Sequence, residues 1–274
     1  MSMTATATAT PVLHYLPSNN STTAAPAGTF ASDDQRATQD IADTLKLLRD
    51  TLAPQRRLVH AGDVIYQSGE SFGNLYILNS GFFKIVDQTA DGREQVVGLK
   101  FRGDWLGFDG IAHGRYSCDA VAMDTGEVWA VRYDALIGAC TAHPQLLTLL
   151  HEAMSREIAS DRASLMSVCT LPADARVAEF LRLWAESLTR RGMRADQITL
   201  RMTRAEIGNY LGMTLETVSR ALSKLARDKV IAFAEKGRRD VQIPDVQALS
   251  HFVQRCLAPV HPVHVSVPKG MLLQ

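Results

Sequence analysis

Between Arg56 and Arg132 the chain alternates apolar and polar residues in short runs, and no helical stretch separates one run from the next. Seven runs stand out: RRLVH, DVIYQ, NLYILN, FFKIVD, EQVVGLK, AVAMD and EVWAV. A period of two places every second side chain on one face of a strand, so each run predicts a strand buried on one side. Gly62, Gly69, Gly73, Gly81, Gly92, Gly103 and Gly126 fall between the runs, where turns are needed. Parallel neighbours require a crossover of a dozen or more residues, usually a helix, and the segment has no room for one. The expectation is an antiparallel roll or sandwich, with Asp91-Gly92 as the tip of a hairpin.

Downstream the period changes. From Pro144 to Val168 the apolar residues Leu147, Leu150, Met154, Ile158, Leu165 and Val168 recur three, four or seven apart, with no Gly or later Pro to interrupt them. That spacing predicts one long helix with a narrow apolar stripe. A narrow stripe suits a seam with a second copy of the same helix, so Leu147, Leu150, Met154, Ile158, Asp161 and Leu165 are the predicted dimer interface. The alternative is a helix lying on its own roll. Asp161, between Ile158 and Leu165, would face its own copy and weaken a dimer unless paired. It could equally turn outward, against an Arg such as Arg162 of the second copy.

The flanks differ in kind. Residues 1–38 are rich in Thr, Ala, Ser, Pro and Asn, with an ATATAT repeat, and read as a disordered arm. Residues 41–53 read as a short amphipathic helix and residues 255–274 as a flexible tail. The expected organisation is an α+β chain with a roll at 39–142, a dimerisation helix at 143–169 and a second, helix-rich domain at 170–254. Four cysteines, Cys118, Cys140, Cys169 and Cys256, form no CxxC pair. That argues against a structural zinc site and a disulfide framework, and no metal ligand set is expected. No apolar run reaches the ~18 residues of a membrane span, and the N-terminus lacks a secretory pattern. The expected location is the cytoplasm, with no membrane partner.

Charge is uneven. The chain has 29 Lys/Arg and 29 Asp/Glu, yet residues 171–255 hold 15 basic against 10 acidic side chains, and residues 1–170 hold 13 against 19. A basic back half suits a polyanion partner, although a solvated helical surface can reach the same balance.

Within that half, ADARVAEFLRLWAESLTRRG is amphipathic, with Val177, Phe180, Leu181, Leu183, Trp184 and Leu188 on one face; a short β run, Ile198–Met202, follows. Residues 203–225 then read TRAEIGNYLGMTLETVSRALSKL. Thr203 is an N-cap, and Glu206 three residues later completes a capping box. Gly212 stops the first helix, and Thr214 caps a second with Thr217 at its third position. Two short helices joined by a tight glycine turn make a helix-turn-helix. The second helix has Leu215, Val218, Ala221, Leu222 and Leu225 on its apolar face; Glu216, Thr217, Ser219, Arg220 and Lys224 lie on the other. Glu216 and Arg220 stand one turn apart near its start. A carboxylate there can accept from cytosine N4, and a guanidinium fork can donate to guanine O6 and N7. A solvated Glu–Arg pair is common on any helix; the caps, the glycine turn and the basic surroundings turn the reading towards double-stranded DNA. Val230–Ala234 and Val241–Ile243 are predicted strands around a basic turn. That wing would place Lys236, Arg238 and Arg239 at phosphates, with Thr203, Arg204, Thr214, Thr217 and Lys224 as further backbone or supporting contacts.

The order roll, long helix, winged helix-turn-helix resembles the Crp/Fnr family of bacterial transcription regulators over residues 40–254. GDWLGFDGI at 103–111 and LRMTRAEIGNYLGMTLETVSRAL at 200–222 are most similar to the Fnr branch. The resemblance implies a homodimeric regulator, an activator at some promoters, that works with RNA polymerase and is not an enzyme. It implies base reading by Glu216, Ser219 and Arg220 at a palindrome of TTGAT and ATCAA half-sites. It further implies a roll of the cyclic nucleotide-binding type.

The residues that would name a signal are missing. Cyclic-AMP receptors of this family use a Gly-Glu pair and an Arg-Ser pair; the matching places here are Gly107-Phe108-Asp109 and Tyr116-Ser117, and Arg115 is one residue off. A one-residue offset in a strand points to the other face. Oxygen-sensing members hold an iron–sulfur cluster on clustered N-terminal cysteines plus one in the roll. Residues 1–117 contain no cysteine, and the roll position matches Trp129. No cofactor is therefore expected, with haem as an open alternative through His14, His60 or His113. His261 and His264 in the tail could touch a metal. A cupin-like metalloenzyme is the remaining alternative, since cupins are also rolls; it lacks an HxH motif here.

Overall fold

The computed structural model describes residues 28–89, 91–234 and 239–258. Helix α1 spans Gly28–Leu52, and eight strands follow: β1 Gln55–Val59, β2 Val64–Tyr66, β3 Asn74–Ser80, β4 Phe83–Gln88, β5 Glu94–Lys100, β6 Trp105–Leu106, β7 Asp119–Ala122 and β8 Gly126–Arg132. All seven predicted runs form strands, and β6 is an addition inside GDWLGFDGI. Every pairing is antiparallel. The strands form two four-stranded sheets, ordered β1-β8-β3-β6 and β2-β7-β4-β5. Their inner faces meet on Val59, Ile65, Leu78, Phe83, Ala120 and Val128, all buried. The β4–β5 hairpin turns at Asp91-Gly92, where the Gly92 N–H donates to Thr89 O at 2.8 Å.

Two helices leave the roll, α2 at Tyr133–Ala139 and α3 at Pro144–Thr170. The first half of α3 faces its own domain. Leu146, Leu150 and Ala153 are buried with Leu45 and Leu48 of α1 and with Leu75, Ile77 and Trp129 of the roll, and Met154 packs partly on the same cluster. Of the positions expected in the seam, Leu150 is thus taken up by the chain's own roll, whereas Met154 stays half-buried. Positions spaced three and four apart on that face cover the open side of the first sheet, and the helix spends them there. The outward apolar residues are Leu147, Ile158, Leu165, Met166 and Val168, and Asp161 is exposed.

The N-terminal boundary is also corrected. The helix expected at 41–53 begins at Gly28, so residues 28–38 are not part of a disordered arm. Leu45 and Leu48 anchor it in the roll core, and the Thr38 hydroxyl donates to Asp34 O and to Arg190 O, at 2.9 and 3.1 Å. Residues 1–27 lie outside the described residues.

The C-terminal unit contains α4 Ala173–Thr189, β9 Gln197–Thr199, α5 Arg204–Leu211, α6 Leu215–Arg227, β10 Ala232–Phe233, β11 Asp240–Gln242 and α7 Val246–Leu257. The small sheet runs β10-β11-β9, so the wing hairpin forms with shorter strands than the pattern predicts, and β9 is shorter than the run at Ile198–Met202. On α4 the expected face is buried apart from half-buried Leu183. Helix α7 corrects the tail expected from residue 255: Asp245 caps its start by accepting from Gln247 N at 2.9 Å, and Leu249 and Phe252 are buried. Residues 259–274 lie outside the described residues. The core of this unit continues into the roll, where Val86, Val96 and Phe101 join Phe180 and Trp184. Phe101 meets Trp184 edge-on at 5.5 Å.

Candidate nucleic-acid interface

Two caps and one glycine turn set the angle between α5 and α6. Thr203 Oγ1 accepts from Glu206 N at 3.1 Å, and Thr203 N donates to Glu206 Oε2 at 2.7 Å. Two of the amide donors that an uncapped start would leave unsatisfied are thereby used. Gly212 takes the left-handed conformation at φ 64° and ends α5. Residue 208 must also be glycine: a Cβ there would stand 2.6 Å from Met213 O. Sequence punctuation pointed to Gly212 alone, and the signal for Gly208 was a glycine inside a helix, which usually has a packing cause. Thr214 Oγ1 then accepts from Thr217 N at 3.3 Å and starts α6.

Val218, Ala221, Leu222 and Leu225 of α6 are buried. Leu215, expected with them, is 45% exposed. It is the first residue of the helix and projects past the core. On the opposite side Glu216 and Arg220 are exposed and Ser219 half-buried. Arg220 Nη2 lies 3.3 Å from Thr217 Oγ1. Hydrogen bonds from its own amide and from the Thr214 hydroxyl, with a smaller contribution from the Arg220 charge, hold the Glu216 carboxyl below the usual glutamate range. An ionised acceptor and a permanently charged fork thus share one solvent-facing edge.

The flanking candidates are placed differently from one another. Thr203 and Thr214 serve as caps, and Thr217 receives the second cap and steadies Arg220. Arg204 is half-buried, with its guanidinium over the Phe233 ring at 5.6 Å. Lys224 Nζ is 2.6 Å from Asp174 Oδ2. Arg239 is exposed beside β11; Lys236 and Arg238 lie outside the described residues. A residue that the motif did not single out is Arg176. Its Nε donates to Leu171 O at 3.1 Å and its Nη1 to Leu211 O at 2.7 Å. Those carbonyls sit at the C-terminal ends of α3 and α5, where helix carbonyls lack partners and a cation is favoured. Nothing in local spacing announces such a contact.

The roll grips this unit directly. Lys84 Nζ reaches Glu206 Oε1 at 2.5 Å. Asn209 Oδ1 accepts from Val96 N at 2.6 Å, its Nδ2 donates to Glu94 O at 2.8 Å, and Gln95 Nε2 donates to Asn209 O at 2.6 Å. Arg191 pairs with Asp104 at 2.7 Å.

The same two halves appear in known families. Residues 56–143 match the cyclic nucleotide-binding domain, and residues 175–252 match the Crp-like helix-turn-helix domain. Electron transport regulator A of Shewanella oneidensis is 32% identical over 182 residues, covering 66% of this chain and 73% of its own. The chain belongs to the Crp/Fnr family. Transcriptional regulatory protein btr of Bordetella pertussis is 30% identical over 200 residues, 73% of this chain and 83% of its own. Among solved structures, FixK2 from Bradyrhizobium japonicum superimposes with a TM-score of 0.64 at 28% identity, covering 73% of this chain and 96% of that one. Crp/Fnr proteins are transcription regulators and not enzymes, so the chain is a regulator with a winged helix-turn-helix. The cupin-like enzyme reading is set aside.

The family often couples a ligand or cluster to the roll, and the residues at those places can be tested for fit. A cavity of about 620 Å³ lies between the roll and α3, lined in part by Tyr66, Trp105, Asp109, Glu157 and Tyr210. Asp109 Oδ2 accepts from Ser117 N at 2.7 Å and from Ser117 Oγ at 3.0 Å. The donors that a cyclic phosphate would use are thus taken by a carboxylate, which would repel it. Arg115 is turned away and donates to Gly69 O at 2.6 Å. A cyclic nucleotide does not fit these residues. An iron–sulfur cluster fits no better: Cys118 is buried on Asp109, Cys140 bonds Leu136 O, Cys169 is exposed and Cys256 lies on α7. Burial, then the Asp109 charge, pushes the Cys118 thiol far up and away from the thiolate form a metal needs. Trp129 is buried, with Nε1 donating to Glu127 Oε1 at 2.5 Å. Among the described residues no group of three or more His, Cys, Asp or Glu could hold a metal. His60 and His113 are both exposed; His14, His261 and His264 lie outside the described residues.

Proposed function

We propose that the chain binds, as a homodimer, a palindrome built from TTGAT and ATCAA half-sites, with Glu216, Ser219 and Arg220 of α6 reading base edges in the major groove. The observation that carries this reading is the edge of α6, where an ionised Glu216 and a Thr217-steadied Arg220 project one turn apart from a helix anchored by four buried side chains. Phosphate contacts from Arg239 and the wing residues Lys236 and Arg238 position the dimer without reading sequence. Dimerisation uses the outward stripe of Leu147, Ile158 and Leu165 on α3, with Leu150 removed from the set because it serves the roll.

The chain works in the cytoplasm with RNA polymerase as the downstream partner. No helix among the described residues is long and apolar enough to cross a membrane. Its roll responds to neither cyclic AMP nor an iron–sulfur cluster, a reading supported by the Asp109–Ser117 contacts and the scattered thiols. The test is fluorescence anisotropy on a duplex carrying the palindrome against the same duplex with scrambled half-sites, at one stated salt concentration. Specific sites bind ~10³-fold or more tighter than scrambled DNA in such systems. Equal affinity for both duplexes would sink the assignment.

A further inference from the structure

A groove of about 670 Å³ runs between the first turn of α4 and the polar edge of α6, lined by Asp174, Thr217, Arg220, Ser223, Lys224 and Arg227 among others. On the proposed reading of α6, with Arg220 over the bases, the sugar-phosphate strand beside it would run along this groove. Its lining carries three cations and one carboxylate, Asp174. That carboxylate is bound to the cation one turn beyond Arg220: Lys224 Nζ is 2.6 Å from Asp174 Oδ2. The two side chains are 34% and 40% exposed, and an ion pair this open contributes little to folding. Its charges nonetheless face the region where a polyanion would lie.

We infer that Asp174 sets the affinity of this chain for DNA by holding Lys224 away from the phosphate backbone. A lysine committed to a carboxylate neutralises no phosphate and releases no counterion. Because phosphate contacts carry no sequence information, Asp174 lowers specific and non-specific binding together. This assigns Lys224 a withheld contact in place of the direct backbone role its sequence position suggests.

The inference rests on the DNA-binding reading of α6 but does not need the palindrome. The experiment is anisotropy of the full chain on the palindrome and on a random duplex, across a salt series. Asp174→Asn is expected to steepen the slope of log affinity against log salt by about 0.9 on both duplexes, the contribution of one phosphate, which is about an eightfold gain at 0.1 M salt. Adding Lys224→Gln to that variant should remove the gain. Circular dichroism melting of each variant checks the fold, and Asp174→Ser serves if the asparagine variant melts early. An unchanged slope in a folded variant, or a gain that survives Lys224→Gln, overturns the inference. A wild-type protein that binds both duplexes equally refutes base reading while leaving the slope comparison on random DNA decisive for Asp174.

Discussion

Lys84 on β4 and Glu206 in the first turn of α5 form an ion pair of 2.5 Å across the junction between roll and helix-turn-helix. The same carboxylate closes the capping box on Thr203 through its other oxygen. One side chain therefore starts the first helix of the helix-turn-helix and ties that helix to the roll. Burial pushes the Glu206 pKa up, but Lys84 and the Thr203 amide and hydroxyl outweigh it, leaving the carboxyl below the ordinary glutamate value of 4.5. A lowered folded-state value means that the ionised form stabilises the fold. That stabilisation is fully present above pH ~4.5, where the unfolded glutamate is also ionised, and is lost as pH falls through the lower folded value.

Glu206→Gln should therefore flatten the acid limb of the stability curve while keeping a capping acceptor. Glu206→Ala should cost about 1–2 kcal/mol at neutral pH from loss of the cap and the bridge. Urea unfolding of the two variants between pH 3 and pH 7 checks both. An alanine variant as stable as the parent at pH 7 would remove Glu206 from the junction.

Gly208→Ala should destabilise the helix-turn-helix, because the added carbon meets Met213 O at 2.6 Å and a backbone atom cannot step aside cheaply. Overpacking of this kind costs about 1–3 kcal/mol. The thermal midpoint by circular dichroism should fall, whereas alanine placed at the solvent-facing Ser223 should leave it nearly unchanged.

The roll and the helix-turn-helix were legible because each has a local signature. Strands advertise a period of two, and Thr203, Gly212 and Thr214 punctuate two short helices at fixed offsets. Leu150 shows where periodicity ends: a stripe three and four apart says that one face is covered, but not whether by the chain's own roll or by a second copy. Helix α7 carried a readable pattern in Asp245, Leu249, Phe252 and Val253 that the short length disguised. The Lys84–Glu206 and Asn209–Val96 contacts had no signal at all, since partners more than a hundred residues apart leave no trace in local spacing. The candidate site was thus readable along α6 and unreadable across its junction with the roll.

Arg220→Ala should cost about 1–3 kcal/mol on the palindrome and relax selectivity at a single base pair, leaving binding to random DNA nearly unchanged apart from one charge. Competition with duplexes substituted one base pair at a time reads this out. Glu216→Gln keeps the shape and removes the charge, so its loss should fall on a different base pair. If both variants weaken every duplex alike, the edge of α6 contacts backbone only.

Asp161 stands between Ile158 and Leu165 on the outward half of α3 and is exposed, beside Ser164, whose hydroxyl is 3.3 Å from that of Tyr210. In a parallel pair of α3 helices the two copies of Asp161 approach across the two-fold axis, flanked by apolar side chains that exclude water. Like charges brought together in such a seam oppose association unless each finds a cation. Asp161→Ala should then tighten the dimer, whereas Ile158→Ala and Leu165→Ala should loosen it by removing apolar contact area. Sedimentation equilibrium of the three variants separates the terms. A tighter Asp161→Ala dimer with looser apolar variants places the seam on this stripe; an Asp161→Ala dimer of unchanged or weaker affinity means that the carboxylate turns outward, where pairing with Arg162 of the second copy would hold the dimer together instead.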